Sequence, residues 1–134
     1  DKIFFKIFEK NEEKICKKFY LSESQIKKMV SNGMIIGSHS LNHNLMSELK
    51  PDEFKKEINS SFQFINSFFK EKTFSYPYGG YHSFNKKIEN FLDSKQVSFS
   101  MNVESKNINY NHIKNRRQAF PRFDCNEFRF GKIS

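Results

Sequence analysis

Two histidines, His39 and His43, stand four positions apart in the stretch IIGSHSLNHNLMSEL, residues 35–49. Neutral imidazole is the commonest protein ligand for zinc and similar metals. If Ser40, Leu41 and Asn42 form a helical turn, this spacing brings both rings to one side. The alternative is two polar residues in a loop, since His-x-x-x-His also arises by chance. A catalytic zinc takes three protein ligands and keeps one position open for water. Two histidines are therefore an incomplete site. A second stretch, FSYPYGGY at residues 74–81, has three readings. Pro77 and the two glycines make a tight turn by themselves. Free N–H groups on a rigid turn can hold a developing oxyanion. The aromatic side chains can line a sugar pocket.

The elements that must position these residues follow from apolar spacing. Residues 1–19 read as one helix or two short ones, from Ile3, Phe4 and Ile7 and from Phe8 and Ile15. LSESQIKKMVSNG predicts a short amphipathic helix. Ser22 and Gln25 form its capping box, Ile26, Met29 and Val30 its apolar face, and Gly33 its left-handed stop. Residues 34–36 read as a short buried strand leading into the histidines. Pro51 opens the next helix, and Phe54, Ile58, Phe62, Ile65 and Phe69 continue it for about five turns. A strand enters the Pro/Gly turn, NKKIENFLDSK is a short helix, and VSFSM is a strand. NVESKNINYNHIKN reads as a polar loop, and RQAFPRFDCNEFRF closes the chain. Alternating helix and strand argues for α/β with a parallel sheet. In such sheets chemistry gathers at the C-terminal strand ends, where both stretches lie.

The totals narrow the function classes. The chain has 134 residues, enough for one domain or part of a larger one. Its 17 Phe and its Ile carry the core, without any Trp. The net charge of +8 raises the question of an anionic partner. The lysines are scattered beside glutamates, however, and only KNRR, residues 114–117, is dense. That pattern fits solvated helix faces, and no nucleic-acid motif accompanies it. Cys16 and Cys125 match no zinc or redox spacing and read as free thiols, with a single disulfide as the alternative. No run spans a membrane and no signal peptide opens the chain. Residue 1 is Asp, so the expected natural start lies upstream.

Taken together and in order, the two stretches resemble the polysaccharide deacetylase family (NodB-homology domain, carbohydrate esterase family 4). That family has glycine before His-Ser/Thr-x-x-His, here Gly37 and HSLNH. It then has an Arg/aromatic-Pro-Tyr-Gly motif, here YPYG. The resemblance covers residues 20–101 best, and the FPRFD tail more loosely, within one partial domain spanning 1–134. It implies a distorted (β/α) barrel, incomplete at the N-terminus. It also implies a hydrolase that removes N-acetyl or O-acetyl groups, with N-acetyl favoured, from a polysaccharide or sugar precursor. The implied cofactor is a divalent metal, usually zinc, held by His39 and His43. Tyr78 would offer its backbone N–H to the oxyanion. Tyr76, Pro77 and Gly79 would border the substrate, His82 would contact it or stand as a loop histidine at the pocket rim, and Arg122 would supply charge near the site or pair with Asp124.

The departures are specific. Nothing here matches the family's Thr-Phe-Asp-Asp, whose aspartates give the general base and the third ligand; the expectation places them upstream of Asp1. Ser75 stands where the family often has Arg. The late Leu-x-x-His is not visible, and His112 lies in a polar stretch. The alternative reading is a catalytically silent relative that binds sugar or a partner. A barrel lacking its first strands would expose a sheet edge, open to self-association or to a further segment. Free thiols favour a reducing compartment and glycan substrates favour the bacterial envelope, which leaves the location open.

Overall fold

The computed structural model describes residues 12–129 and 132–133. Its contacts divide the chain into two units, Asp1–Ile35 and Ile36–Ser134. The first unit holds helices α1 (Glu12–Phe19) and α2 (Glu23–Ser31). The expectation for residues 1–11 lies outside the described residues. In α2 the capping box forms as the sequence predicts: Ser22 Oγ accepts from Gln25 N–H, and Gln25 Oε1 accepts from Ser22 N–H at 2.7 Å. The helix ends in a Schellman motif. Gly33 N–H donates to Val30 O and Met34 N–H to Met29 O, with Gly33 at φ +83°.

The second unit begins with a correction. Residues 34–36 were expected as a buried strand, yet Met34 and Ile35 are exposed and make no ladder. The Met34 amide is already used in closing α2. Pairing starts instead at Ser38, which bridges Phe74 in parallel through Ser38 N–H to Thr73 O and Ser75 N–H to Ser38 O. Gly37 permits this approach, because a Cβ there would lie 2.5 Å from Thr73 Oγ1.

Strand β1 (Thr73–Ser75) pairs in parallel with β2 (Phe99–Met101), and Met101 bridges Phe120, also in parallel. The order across the sheet is therefore Ser38, β1, β2, Phe120, all running one way. The parallel α/β expectation holds. A closed barrel does not form among the described residues; the sheet is a short open one.

Helix α3 (Pro51–Ile65) has proline in its first turn, and Glu53 reaches back to accept from Lys50 N–H at 2.8 Å. Phe54, Ile58 and Phe62 are buried at the predicted spacing. The helix stops at Ile65, about one turn short of the expected end at Phe69. Helix α4 (Lys86–Ser94) is capped by Asn85 and buries Ile88 and Leu92. These residues join Met46, Phe74, Tyr76, Phe84, Val97 and Ala119 in one core.

A second correction concerns residues 102–115. Part of that polar stretch is helical, α5 (Tyr110–Asn115). Asn109 Oδ1 accepts from His112 N–H, and His112 Nδ1 accepts from Asn109 N–H at 3.0 Å. His112 thus closes a helix start. The tail adds a short antiparallel pair, β3 (Phe128–Arg129) and β4 (Lys132–Ile133). Cys16 and Cys125 are both free thiols.

Candidate metal and acyl site

Because the sheet is parallel, the segments after Ser38, β1, β2 and Phe120 leave from one end of it. The His39–His43 loop, the Tyr76–Gly79 turn, Val103–Glu104 and Arg122 share that end. Three contacts tie them together. The His43 and Tyr78 rings lie 4.9 Å apart. Val103 N–H donates to Gly79 O at 3.1 Å, and Arg122 N–H to Glu104 O at 3.1 Å.

His39 and His43 meet edge to face, with ring centroids 4.8 Å apart. The route differs from the helical turn considered above. Ser40 and His43 both take the left-handed conformation, at φ +64° and +56°, so the backbone doubles back twice within four residues. His43 N–H donates to Ser40 Oγ at 3.1 Å, which closes the loop from inside. His39 Nδ1 lies 2.8 Å from Ser75 O. A carbonyl only accepts, so Nδ1 carries the proton and Nε2 keeps its lone pair in the neutral ring. A metal-binding histidine is held by this kind of outer contact.

The loop between the histidines rests on Glu57 of α3. Its carboxylate accepts from Leu41 N–H at 3.1 Å, Asn42 N–H at 2.8 Å, Asn42 Nδ2 at 2.6 Å and Asn44 Nδ2 at 3.4 Å. Burial pushes this carboxyl up, but the Asn42 and Leu41 hydrogen bonds, with the charge of Lys56, outweigh it and hold the pKa below the ordinary value. A group depressed in the folded state stabilises above its unfolded pKa, about 4.3 for Glu, and loses that contribution as pH falls through the folded value. Melting curves should therefore show wild type more stable than Glu57→Gln at pH 7, and the gap should narrow as pH falls below the ordinary carboxylate value.

In the second stretch, Tyr78 adopts φ +62° and Gly79 φ +69°. Gly80 N–H donates to Tyr78 O at 2.9 Å. The Tyr78 N–H makes no hydrogen bond among the described residues, and its side chain is exposed. Tyr76, expected beside the substrate, is 1% exposed. Phe74 and Tyr76 are two apart on extended chain and share the inward face. The Tyr76 ring stacks on Phe84 at 3.9 Å, and its hydroxyl donates to Gln118 O at 2.7 Å. Burial, with the nearby Glu89 charge, raises the phenol far above its usual range and keeps it neutral. Pro77 and Gly79 are also buried, so they shape the turn from beneath. His82 is exposed, with its carbonyl accepting from Ser47 Oγ at 2.6 Å.

Arg122 pairs with Asp124 at 2.6 Å, the partner that the sequence named for it. The basic KNRR cluster is largely spent on neighbours. Arg116 pairs with the buried Glu89 at 3.0 Å, and Arg117 with Asp93 at 2.9 Å. Two positioning residues escaped the sequence reading, Glu57 and Gln118. Gln118 accepts from Ser100 Oγ and donates to Asp93 and Val97 O, besides receiving Tyr76. For Glu57 a signal existed: it lies on the Phe54–Ile58–Phe62 face, where a charge needs a reason.

The donors fit a zinc-like metal in type, two imidazoles with one Nε2 kept available. They are incomplete in number. Among the described residues no group of three or more His, Cys, Asp or Glu side chains is arranged to hold an ion. Beside His39 an open cavity of about 210 Å³ runs towards Ser61, Phe64 and Ile65 of α3. No described helix is long and apolar enough to cross a membrane.

The profile of the polysaccharide deacetylase family matches residues 3–97. A Bacillus subtilis (strain 168) protein named "Putative polysaccharide deacetylase YxkH" is 28% identical over 88 residues, which is 64% of this chain and 30% of that protein. The chain thus spans under a third of that relative's length. No solved structure matches it. With the glycine, the paired histidines and the Pro-Tyr-Gly turn gathered at one end of a parallel sheet, and the profile covering most of the sequence, the chain belongs to the polysaccharide deacetylase family.

Proposed function

We propose that the protein is part of a metal-dependent hydrolase that removes N-acetyl groups from a glycan or amino-sugar precursor. Residues 1–134 would then form part of one deacetylase domain. The observation that carries this reading is the convergence on His43, whose ring centroid lies 4.8 Å from that of His39 and 4.9 Å from that of Tyr78. His39 and His43 would hold the metal, zinc by donor type. When bound, such a metal polarises an acyl carbonyl and activates water. The chain's own part is to keep the His39 Nε2 lone pair free, through Ser75 O, and to leave the Tyr78 N–H unpaired among the described residues, in the turn whose Tyr78 ring meets His43. That N–H suits a tetrahedral oxyanion, because a fixed donor needs no reorganisation as charge develops. The cavity beside His39 has room for several waters or a group of acetamide size.

A second reading, a domain that binds sugar without catalysis, is favoured by the count of two ligands among the described residues. Acetate release from N-acetylglucosamine oligomers, with zinc supplied, separates the two. The hydrolase reading expects release that a chelator stops and zinc restores. Oligomer binding without any release would overturn it in favour of the second.

A further inference from the structure

We propose that Glu57 is a positioning residue for the histidine pair, setting its zinc affinity through the loop between the rings. The inference rests on the metal-binding reading of His39 and His43. The loop has two attachments to α3, one helical turn apart. Ser61 Oγ lies 2.7 Å from Ser38 Oγ, just ahead of His39. Glu57 receives the N–H groups of Leu41 and Asn42, just ahead of His43. Successive amides after a left-handed residue form a concave site for an anion. Here Ser40 is the left-handed residue and the Glu57 carboxylate is the anion. The two Asn side chains add donors from positions on either side of His43.

The reversal that returns His43 to His39 is thus held by one buried charge, 7% exposed. Without it, the Leu41 and Asn42 amides and the two Asn side chains lose their partner. The loop then keeps only the His43 N–H to Ser40 Oγ bond to hold His43 at φ +56° against the His39 ring. Glu57 touches neither imidazole in this arrangement and acts through the backbone.

The test is zinc affinity of the protein, by competition with a chromophoric chelator, in wild type, Glu57→Gln, Asn42→Ala and His39→Ala. It is paired with imidazole 15N resonances of the metal-free protein. Glu57→Gln should weaken zinc by about 10-fold, the lower end of what losing a direct outer contact costs, because Glu57 acts through the loop and not on a ring. It should also move the His39 and His43 ring signals. Zinc affinity within twofold of wild type, or unmoved ring signals, overturns the proposal. If neither wild type nor His39→Ala binds zinc, the metal reading has failed. The ring signals then decide alone: moved in Glu57→Gln they support positioning, unmoved they overturn it. If Glu57→Gln is unfolded by circular dichroism, Asn42→Ala decides, because Asn42 is exposed and the substitution removes one of the four contacts, its side-chain amide on Glu57. A threefold or larger fall supports the proposal, and no fall overturns it.

Discussion

His39→Ala is expected to lower zinc affinity by more than about 100-fold, beyond the 10–100-fold that loss of an outer contact costs. Titration of the metal-free protein with zinc near pH 7.5 reads this directly. The size follows from what remains. Of the two imidazoles that converge, His39 is the one whose ring is fixed by a carbonyl, Ser75 O at 2.8 Å. His43 alone, on a doubly reversed loop, is a single monodentate ligand for which protons compete. For the same reason wild-type affinity should fall as pH drops, because protons compete with the metal for its ligands. Equal zinc affinity in His39→Ala and wild type would remove His39 from the site.

Gly79→Ala is expected to cost about 2–5 kcal/mol. Holding a non-glycine residue in the left-handed region accounts for roughly 1–2 kcal/mol, and forcing a methyl into packed space for about 1–3. Both terms apply here. Gly79 has φ +69°, and a Cβ there would sit 2.3 Å from Val103 Cγ1. Val103 cannot retreat freely, because its N–H donates to Gly79 O at 3.1 Å. Gly33→Ala is the control. It has a similar φ, +83°, but nothing within 4 Å of the added carbon, so only the strain applies. Thermal melts of both variants give the comparison. Equal losses would mean that Val103 yields and that close approach is not why glycine stands at 79.

The histidine pair was legible because imidazoles are chemically distinctive and few, four in this chain. Helix α3 was legible because its phenylalanines repeat at 3–4 spacing over several turns. Helix α5 was hidden. Its sequence YNHIKN carries no apolar stripe, and it is held at its start by an Asn109–His112 cap that reads as ordinary loop chemistry. The strand expected at 34–36 was set by three apolar residues in a row, whereas the pairing was decided by where β1 offers Thr73 O and Ser75 N–H. Tyr76 looked like a pocket aromatic because it adjoins the turn. Its alternation with Phe74 pointed inward and was the stronger signal. Glu57 was missed because its partners are two backbone amides and two Asn side chains of a loop 13 to 16 residues upstream, a combination that no motif records.

The site's fixtures lie far from it along the chain, and this bears on the order of events in folding. The carbonyl that sets the His39 tautomer is 36 residues downstream, and the Gln118 carbonyl that seats Tyr76 is 42 beyond that tyrosine. Loops of such length cost entropy to close before any contact repays it. The histidine loop and α3 are near neighbours in sequence, by contrast, and Glu57 can engage Asn42 across only 15 residues. The reversal between the histidines can therefore form early, as a local turn. The orientation of the His39 ring has to wait until the strands close.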